Sequence, residues 1–370
     1  MLDYDRLIRW REPELAQRYT ERDTMLYGLG VGFGQDPTDE RELRFVYERG
    51  LQAVPSMASV LASPWGWLYR AGAGVTASMA MHGDQGLVVH RPLPPRGTVV
   101  SALRVTDVQD KGRDKGAVVH FERQLHEQAS GDLLCTVTAT MFCRADGGFS
   151  EARDAAAGAA AGGASHAQVV PDDAPPVRAT AVSAPADAPP ADEPDPDEPP
   201  ARETLVRAPD AVCEFDTLPQ AALMFRLHGD TNPIHADPAL AARAGFPRPV
   251  LHGLCSYGMA ARAILASFCD YDASRLRSLG LRFSAPVFPG DRLRFSLWRA
   301  GGEVRFAATV PARRATVLTR GYAAIGPAVG PDASAAGRAA ASAIGSARDA
   351  AAGGRAGETA DAPWEEFPWR

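Results

Sequence analysis

Apolar residues cover nearly every side of one long segment and predict a buried helix there. Within Gly253–Phe268, apolar side chains recur at the i, i+3, i+4 and i+7 spacings of an α-helix. A helix without a polar face belongs in the interior of a protein, because no side of it is suited to water. A shorter helix is predicted over Pro238–Ala244, since Gly245 and Pro247 follow it directly.

Alternating apolar and polar positions after the long helix predict a series of strands. One buried helix followed by antiparallel strands indicates a sheet wrapped around that helix. The segments that carry the alternation are 276–283, 292–299, 304–310 and 315–324.

The same layout occurs twice along the chain. In both halves an Asp-Thr pair (Asp23-Thr24, Asp230-Thr231) comes first, and a proline-rich segment (91–98, 284–291) later precedes an alternating strand. The shared order indicates an internal duplication, with two copies of one α+β unit. We place the copies at residues 1–145 and 203–325.

Two segments have a composition that cannot build a core. Residues 146–202 consist largely of Ala, Pro, Gly and acidic residues, and residues 326–370 are again rich in Ala and Gly. Prolines deny a segment regular hydrogen bonding, and these stretches have few large apolar side chains to bury. We predict a disordered linker at 146–202 and a disordered tail at 326–370.

Charge and cysteine content exclude several classes of protein. The net charge of −6 argues against nucleic acid as a partner. We find no signal peptide and no run of 18 uncharged apolar residues, so we expect no membrane contact. The five cysteines are odd in number and lack CxxC spacing, which argues against disulfides and a zinc site and favours the cytoplasm.

Two motifs resemble known functional loops without matching them. The glycines of Gly28–Gly34 do not follow the GxGxxG spacing of dinucleotide-binding proteins, because Phe33 occupies the third glycine position. We interpret them as glycines that allow close packing or turns. Cys255 lies in a sequence that only loosely resembles a nucleophile elbow, and we predict a buried thiol there.

The segment Arg226–His235 carries the residue types of an acid–base site. Gly229 lets the backbone turn sharply, and the proline after Asn232 disfavours a helix at that point. Asp230 and His235 can therefore converge on a bent loop, where a carboxylate and an imidazole can hold one water molecule and transfer its proton. Taken singly, each residue has a structural explanation: Asp230 as the cap of a turn, His235 as the cap of the helix at Pro238.

The start of the long helix offers a second functional element. The first amides of a helix have no partner within it and favour negative charge. The N–H of Gly253 is thus a candidate oxyanion hole for a carbonyl oxygen that gains negative charge during a reaction. A glycine at this position would equally allow the helix to approach a neighbour.

The string Gly229-Asp-x-Asn-Pro-x-His235, followed by His252-Gly253, resembles the signature of the MaoC-like dehydratase family. Within that family the chain looks similar to the two-repeat (R)-specific 2-enoyl-CoA hydratases. The first half contributes to the resemblance through its segments 22–32, 81–85 and 90–95. The resemblance implies an α+β double hot-dog fold, in which each repeat is a long helix wrapped by an antiparallel β-sheet.

The resemblance also implies reversible hydration of a trans-2-enoyl-CoA to a (3R)-3-hydroxyacyl-CoA. The family's catalytic pair falls on Asp230 and His235, its assisting asparagine on Asn232 and its oxyanion donor on the Gly253 amide. Coenzyme A is then part of the substrate, and no metal or redox cofactor is needed. Further expectations are a homodimer and a substrate-binding role for three residues, namely Gly229, His252 and the basic Arg282.

The first half lacks these groups when Asp23 is aligned with Asp230. Met25 then takes the place of Asn232, and Gly28 that of His235. We therefore expect one active site per chain, with the first repeat accommodating the acyl chain. Two other functions remain open: an acyl-CoA thioesterase on the same fold, and a non-catalytic acyl-CoA-binding protein.

Overall fold

The computed structural model of this protein describes residues 2–76, 79–151 and 207–328. The predicted linker and tail lie almost wholly outside these ranges. At the start of the predicted linker the structure corrects the boundary of the first half. Asp146 and Phe149 are buried, with 6% and 2% of their surface exposed, so the packed part of the first half continues past residue 145.

Each half contributes five strands to one ten-stranded antiparallel sheet. Neighbours along the sheet follow the order β1-β3-β4-β5-β2-β7-β10-β9-β8-β6, which is symmetric when the two halves are exchanged. This symmetry agrees with the predicted duplication. The strands of the first half are β1 (Leu15–Tyr19), β2 (Ala80–Val89), β3 (Gly97–Asp110), β4 (Ala117–Glu127) and β5 (Leu133–Cys143), and those of the second are β6 (Ala211–Asp216), β7 (Leu276–Phe283), β8 (Arg292–Ala300), β9 (Glu303–Val310) and β10 (Ala315–Ile325).

In the described part of the chain, every helix except one is ten residues long or shorter. The long predicted helix is confirmed as α6, and the shorter one before it as α5. Short 3₁₀ turns connect several elements, among them Pro55–Ser59, Arg226–His228 and Pro233–His235. The α-helices are α1 (Tyr4–Ile8), α2 (Glu21–Gly30), α3 (Trp67–Arg70), α4 (Ala221–Phe225), α5 (Pro238–Arg243) and α6 (Gly253–Phe268).

Helix α6 lies in the core, where its apolar sides contact other elements of both halves. The Tyr257 hydroxyl donates to the carbonyl of Leu279 at 3.0 Å, which joins the helix to β7. Against its other side packs the glycine-rich segment of the first half: a Cβ at Gly258 would lie 2.3 Å from a methyl of Val31. Gly258 thus allows this close approach, and Gly28, where a Cβ would lie 2.4 Å from the carbonyl of Phe45, packs closely as we predicted for Gly28–Gly34.

The first half differs from the expectation of one long helix per repeat. Among its described residues, the 3₁₀ turn Pro55–Ser59 lies against α6 and the sheet, where a longer helix was expected. Buried Arg123 of β4 donates to three carbonyls at the end of this turn, those of Ala58, Ser59 and Leu61, at 2.6, 3.1 and 2.6 Å. These bonds satisfy backbone groups that a longer helix would have paired internally.

The two halves join along the antiparallel pair β2–β7. At this seam Gly86 is opposite Gly280, and Asp84 is opposite Arg282. A second connection is a buried ion pair, in which Arg262 of α6 donates to Glu42 of the first half at 2.7 Å. None of the helices in the described ranges is both long and apolar enough to cross a membrane.

Candidate active site

The loop after α4 turns sharply at Gly229. This residue has φ of +108°, a conformation that side chains with a Cβ rarely adopt. A Cβ there would also lie 2.8 Å from the indole Nε1 of Trp65, a residue of the first half. Only glycine therefore lets the second half's loop lie against this tryptophan.

Asp230 and Asn232 shape the next turn with their own side chains. The Asp230 carboxylate accepts the amide N–H of Asn232 at 3.2 Å, and the Asn232 side chain accepts that of Ile234 at 3.1 Å. Asn232 is exposed and begins the 3₁₀ turn Pro233–His235. Its side chain therefore shapes the loop that carries the pair, and its role in orienting the pair stays a prediction. The helix-cap explanation for His235 is wrong, because Asp237 caps α5.

The backbone of Val250 holds His235 in one orientation. Its N–H donates to the carbonyl of Ile234 at 3.3 Å, and its carbonyl lies 2.9 Å from Nδ1 of His235. A carbonyl can only accept, so Nδ1 carries the proton. The other ring nitrogen, Nε2, then has a free lone pair and can act as a base.

His252 lies behind the pair, directly before α6. Its Nε2 is 3.1 Å from the carbonyl of Asp230, and its ring is stacked on that of His235 with 3.7 Å between centroids. Only 1% of its surface is exposed. The prediction that His252 binds substrate is therefore not supported by its position.

Burial moves the pKa values of Asp230 and His235 toward each other. Loss of water raises the pKa of the Asp230 carboxyl above 3.8, although His235, the Asn232 N–H and Arg226 oppose the shift. Loss of water also lowers the pKa of His235 below 6.5, opposed by the nearby Asp230 carboxylate. The pair thus combines a weakened acid and a neutral base at neutral pH, which suits proton transfer to and from water.

Gly253 is the first residue of α6, so its amide has no acceptor within the helix. The ring of Phe283 packs against it, since a Cβ at Gly253 would lie 3.1 Å from that ring. His82 of the first half contacts Phe283 edge-on, with 4.9 Å between ring centroids. The amide is therefore placed at a helix N-terminus that residues of both halves surround.

Arg282 does not join this group. It forms an ion pair with Asp84 at 2.8 Å, and side chains alternate along β7, so Arg282 points away from the face that carries Leu281 and Phe283. Its predicted contact with coenzyme A is thus unsupported. Leu281, the residue directly before Arg282, is buried, and this agrees with Arg282 pointing to the opposite face of the strand.

Asp230, His235 and His252 come close enough to be considered as metal ligands, with potential donor atoms within 4.8 Å of one another. The two imidazole rings, however, are stacked with only 25° between their planes. A histidine nitrogen binds a metal along the plane of its ring, so two near-parallel rings cannot both point at one ion. The arrangement fits an acid–base pair better than a metal centre.

The first half has a different structure at the corresponding point. Asp23 follows the end of β1 (Tyr19) by four residues, whereas Asp230 follows the end of β6 (Asp216) by fourteen. The alignment of Asp23 with Asp230 is therefore wrong. Asp23 accepts the amide and hydroxyl of Thr20 at 2.8 and 2.7 Å and so caps α2, a ten-residue helix.

Several residues of the site have no signal in the sequence. Trp65 and His82 come from the other half of the chain, and Val250 acts through backbone atoms. Phe283 looked like an ordinary strand residue. The predicted residues that the structure does bring together are Gly229, Asp230, Asn232, His235, His252 and Gly253.

Comparison with known proteins agrees with this geometry. Residues 197–320 match the MaoC like domain, and residues 17–145 match the MFE-2 hydratase 2 N-terminal domain. The chain is 35% identical to the peroxisomal enoyl-CoA hydratase 2 of Arabidopsis thaliana, a match that covers 86% of this chain and 94% of that protein. It is 32% identical to the enoyl-CoA hydratase ChsH3 of Mycobacterium tuberculosis, covering 86% and 97%.

Among solved structures, the chain resembles the MaoC-like dehydratase from Phytophthora capsici. The TM-score is 0.65 at 27% identity, and the match covers 88% of this chain and 99% of that one. Both halves are therefore included in the likeness. The predicted double hot-dog fold is confirmed.

Proposed function

The chain belongs to the MaoC-like dehydratase family, and from this membership we propose that it is a hydro-lyase acting on enoyl-CoA. The reaction is the reversible addition of water to a trans-2-enoyl-CoA, which gives a (3R)-3-hydroxyacyl-CoA. Relatives named enoyl-CoA hydratase 2 and 3-hydroxyacyl-thioester dehydratase support it. The observation that carries it is the unprotonated Nε2 of His235 beside the Asp230 carboxylate, both near a helix N-terminus.

In the proposed mechanism, Asp230 and His235 hold the water molecule between them. His235 removes a proton from the water as its oxygen bonds to C3 of the substrate. Electron density moves toward the thioester oxygen, where the amide of Gly253 donates a hydrogen bond. A proton returned by the pair to C2 completes the addition and restores the starting protonation states. The positively charged Arg226 nearby favours the ionised form of Asp230.

The thioester itself makes C3 electrophilic and C2 acidic, so the mechanism includes no metal or redox cofactor. Coenzyme A takes part only as a portion of the substrate. A homodimer and a cytoplasmic location remain predictions, and one relative is named as peroxisomal.

A thioesterase reaction is the second candidate function, because the same pair could direct water at the thioester carbonyl. The position of Gly253 does not distinguish the two, since both reactions place negative charge on the carbonyl oxygen. The names of the relatives favour hydration. An assay that follows both the enoyl absorbance and the release of free thiol separates the two reactions.

The test is hydration of crotonyl-CoA by the wild type and by Asp230→Asn and His235→Ala. Each substitution removes one member of the pair, so we expect kcat to fall by about 10²–10⁴-fold. Asp237→Asn is the matched control, because Asp237 lies in the same loop but only caps α5 and asparagine also caps helices well. Near-wild-type rates in both variants of the pair would show that the assignment is wrong.

A further inference from the structure

His252 touches both members of the proposed catalytic pair although it is itself buried. One ring nitrogen lies 3.1 Å from the backbone carbonyl of Asp230, and the ring face lies on His235. With 1% of its surface exposed, His252 has no route to substrate. Its contacts are with the backbone of Asp230 and the ring of His235, the two groups whose positions the proposed reaction requires.

The hydrogen bond defines the protonation state of His252. Because the carbonyl of Asp230 can only accept, Nε2 of His252 carries the proton. The other nitrogen, Nδ1, is buried and has no hydrogen-bond partner among the described residues. Burial lowers the pKa of His252 to about 2, with His235 and Arg226 contributing in the same direction and the bond to Asp230 opposing. His252 is thus neutral, keeps its Nε2–H and does not transfer a proton in the reaction.

The loop that His252 holds is attached to the core at its far end by the backbone of Val250, which bonds to the carbonyl of Ile234 and to the ring of His235. Thr231 and Asn232 are exposed, and the loop bonds described above are largely internal to it. Two donors from outside the turn hold consecutive carbonyls: His252 that of Asp230, and Arg226 that of Thr231 at 3.0 Å. Because His252 directly precedes the buried helix α6, it transfers the rigidity of that helix to the loop.

We infer that His252 is a positioning residue, which fixes Asp230 through its Nε2–H bond and His235 through ring stacking. The inference rests on the proposed hydratase function and adds a residue that acts on the reaction without contacting substrate. The two contacts are chemically separable. A glutamine at this position can keep an N–H donor near Nε2 without a ring, and a phenylalanine keeps the ring without a donor.

The experiment compares His252→Gln and His252→Phe with wild type in crotonyl-CoA hydration. In His252→Phe the buried carbonyl of Asp230 loses its donor, so we expect kcat to fall by about 10- to 100-fold. His252→Gln retains the donor and should recover a large part of this loss. KM should stay within about twofold of wild type in both variants, since His252 does not reach the substrate. Ser256→Ala, one helical turn further into α6, is the control and should leave kcat and KM unchanged.

Three results would overturn the inference. A rise in KM as the main effect would make His252 a substrate contact. Equal losses in the glutamine and phenylalanine variants, or losses in Ser256→Ala as well, would reduce its role to general packing.

A measurement on the wild type is independent of turnover and of the folding of any variant. In ¹⁵N NMR of labelled histidine, His252 should show the Nε2–H tautomer and stay neutral from pH 8 to about pH 5. Titration near its ordinary value of 6.5 would contradict the inference. If the wild type lacks hydratase activity while this signature is present, the proposed function fails and the structural arrangement stands.

Discussion

The two halves of the molecule build the same five-stranded pattern but cover it differently. The second half places the sixteen-residue α6 against its strands, and the first half places the 3₁₀ turn Pro55–Ser59 there. At the start of α6 lie the Gly253 amide and His252. In the first half, the side chain of Arg123 satisfies the carbonyls at the end of the short turn. One sheet thus supports either a helix N-terminus suited to chemistry or a short segment suited to packing.

The segments that follow the first strand of each half differ in the same way, since one packs against a neighbour and the other carries the proposed catalytic pair. In the first half, Thr20 and Asp23 cap a continuous helix, and the segment packs closely against α6. In the second half, the loop turns at Gly229 and presents Asp230 and His235. The first half still contributes to the site, since Trp65 lies against Gly229. Duplication therefore allowed one copy to keep the proposed chemistry and the other to shape its surroundings.

Within the comparison of the two halves, the largest expected effect tests whether the helix N-terminus of the second half takes part in the reaction. Gly253→Pro removes the amide donor, while proline is accepted at the first position of a helix and the backbone of His252 (ψ 132°) is compatible with a following proline. We expect kcat for crotonyl-CoA to fall by about 10²–10³-fold. Gly253→Ala is the control, because it keeps the N–H and crowds the same Phe283 ring. Equal rates in the two variants would remove the amide from the mechanism.

The next effect concerns the element that replaces the helix in the first half. Arg123→Ala leaves three buried carbonyls without their donor, so the free energy of unfolding should fall by about 3 kcal/mol or more. Denaturant melts of the purified variants measure this. Arg104, on the neighbouring strand, pairs with Glu122 at the surface, and Arg104→Ala should cost only about 0–1 kcal/mol. A similar cost for both would mean that the short turn does not depend on Arg123.

Strands β7–β10 and helix α6 could be predicted almost to the residue, because their patterns are local. The short turn of the first half could not, since its stability comes from Arg123, more than sixty residues away in the sequence. The catalytic string was visible as a motif, and the closeness of Asp230 and His235 followed from it. The orientation of His235 was not visible, because it depends on the carbonyl of Val250, a group that every residue has.

The smallest expected effect is a change of activity with pH. It tests the protonation states that we propose for the catalytic pair of the second half. His235 must be neutral to accept a proton. We therefore expect kcat/KM to be at its maximum above the pKa of His235 and to decrease as the pH falls through that pKa. Since burial lowers that pKa below 6.5 and raises the pKa of Asp230 above 3.8, the acid limb should lie between these two values.

Circular dichroism at each pH provides the control for unfolding in this titration. The control is needed because burial lowers the pKa of His82 in the first half to about 4. As the pH falls from 6.5, this histidine gains a proton in the unfolded state before it does so in the folded state, and the protein becomes less stable. An acid limb at or above pH 6.5 with the protein still folded would contradict the proposed state of the pair.

The seam between β2 and β7 has a consequence for the order of events during synthesis. Asp84 and Arg282, which pair there, are 198 residues apart in the sequence. The first half leaves the ribosome with β2 as an open strand edge until the second half arrives, and such edges invite pairing with other chains. Contacts between residues so distant in sequence also form slowly, because the intervening chain must be closed first. Refolding of the intact protein should therefore be limited by the docking of the two halves, and a separated first half should aggregate.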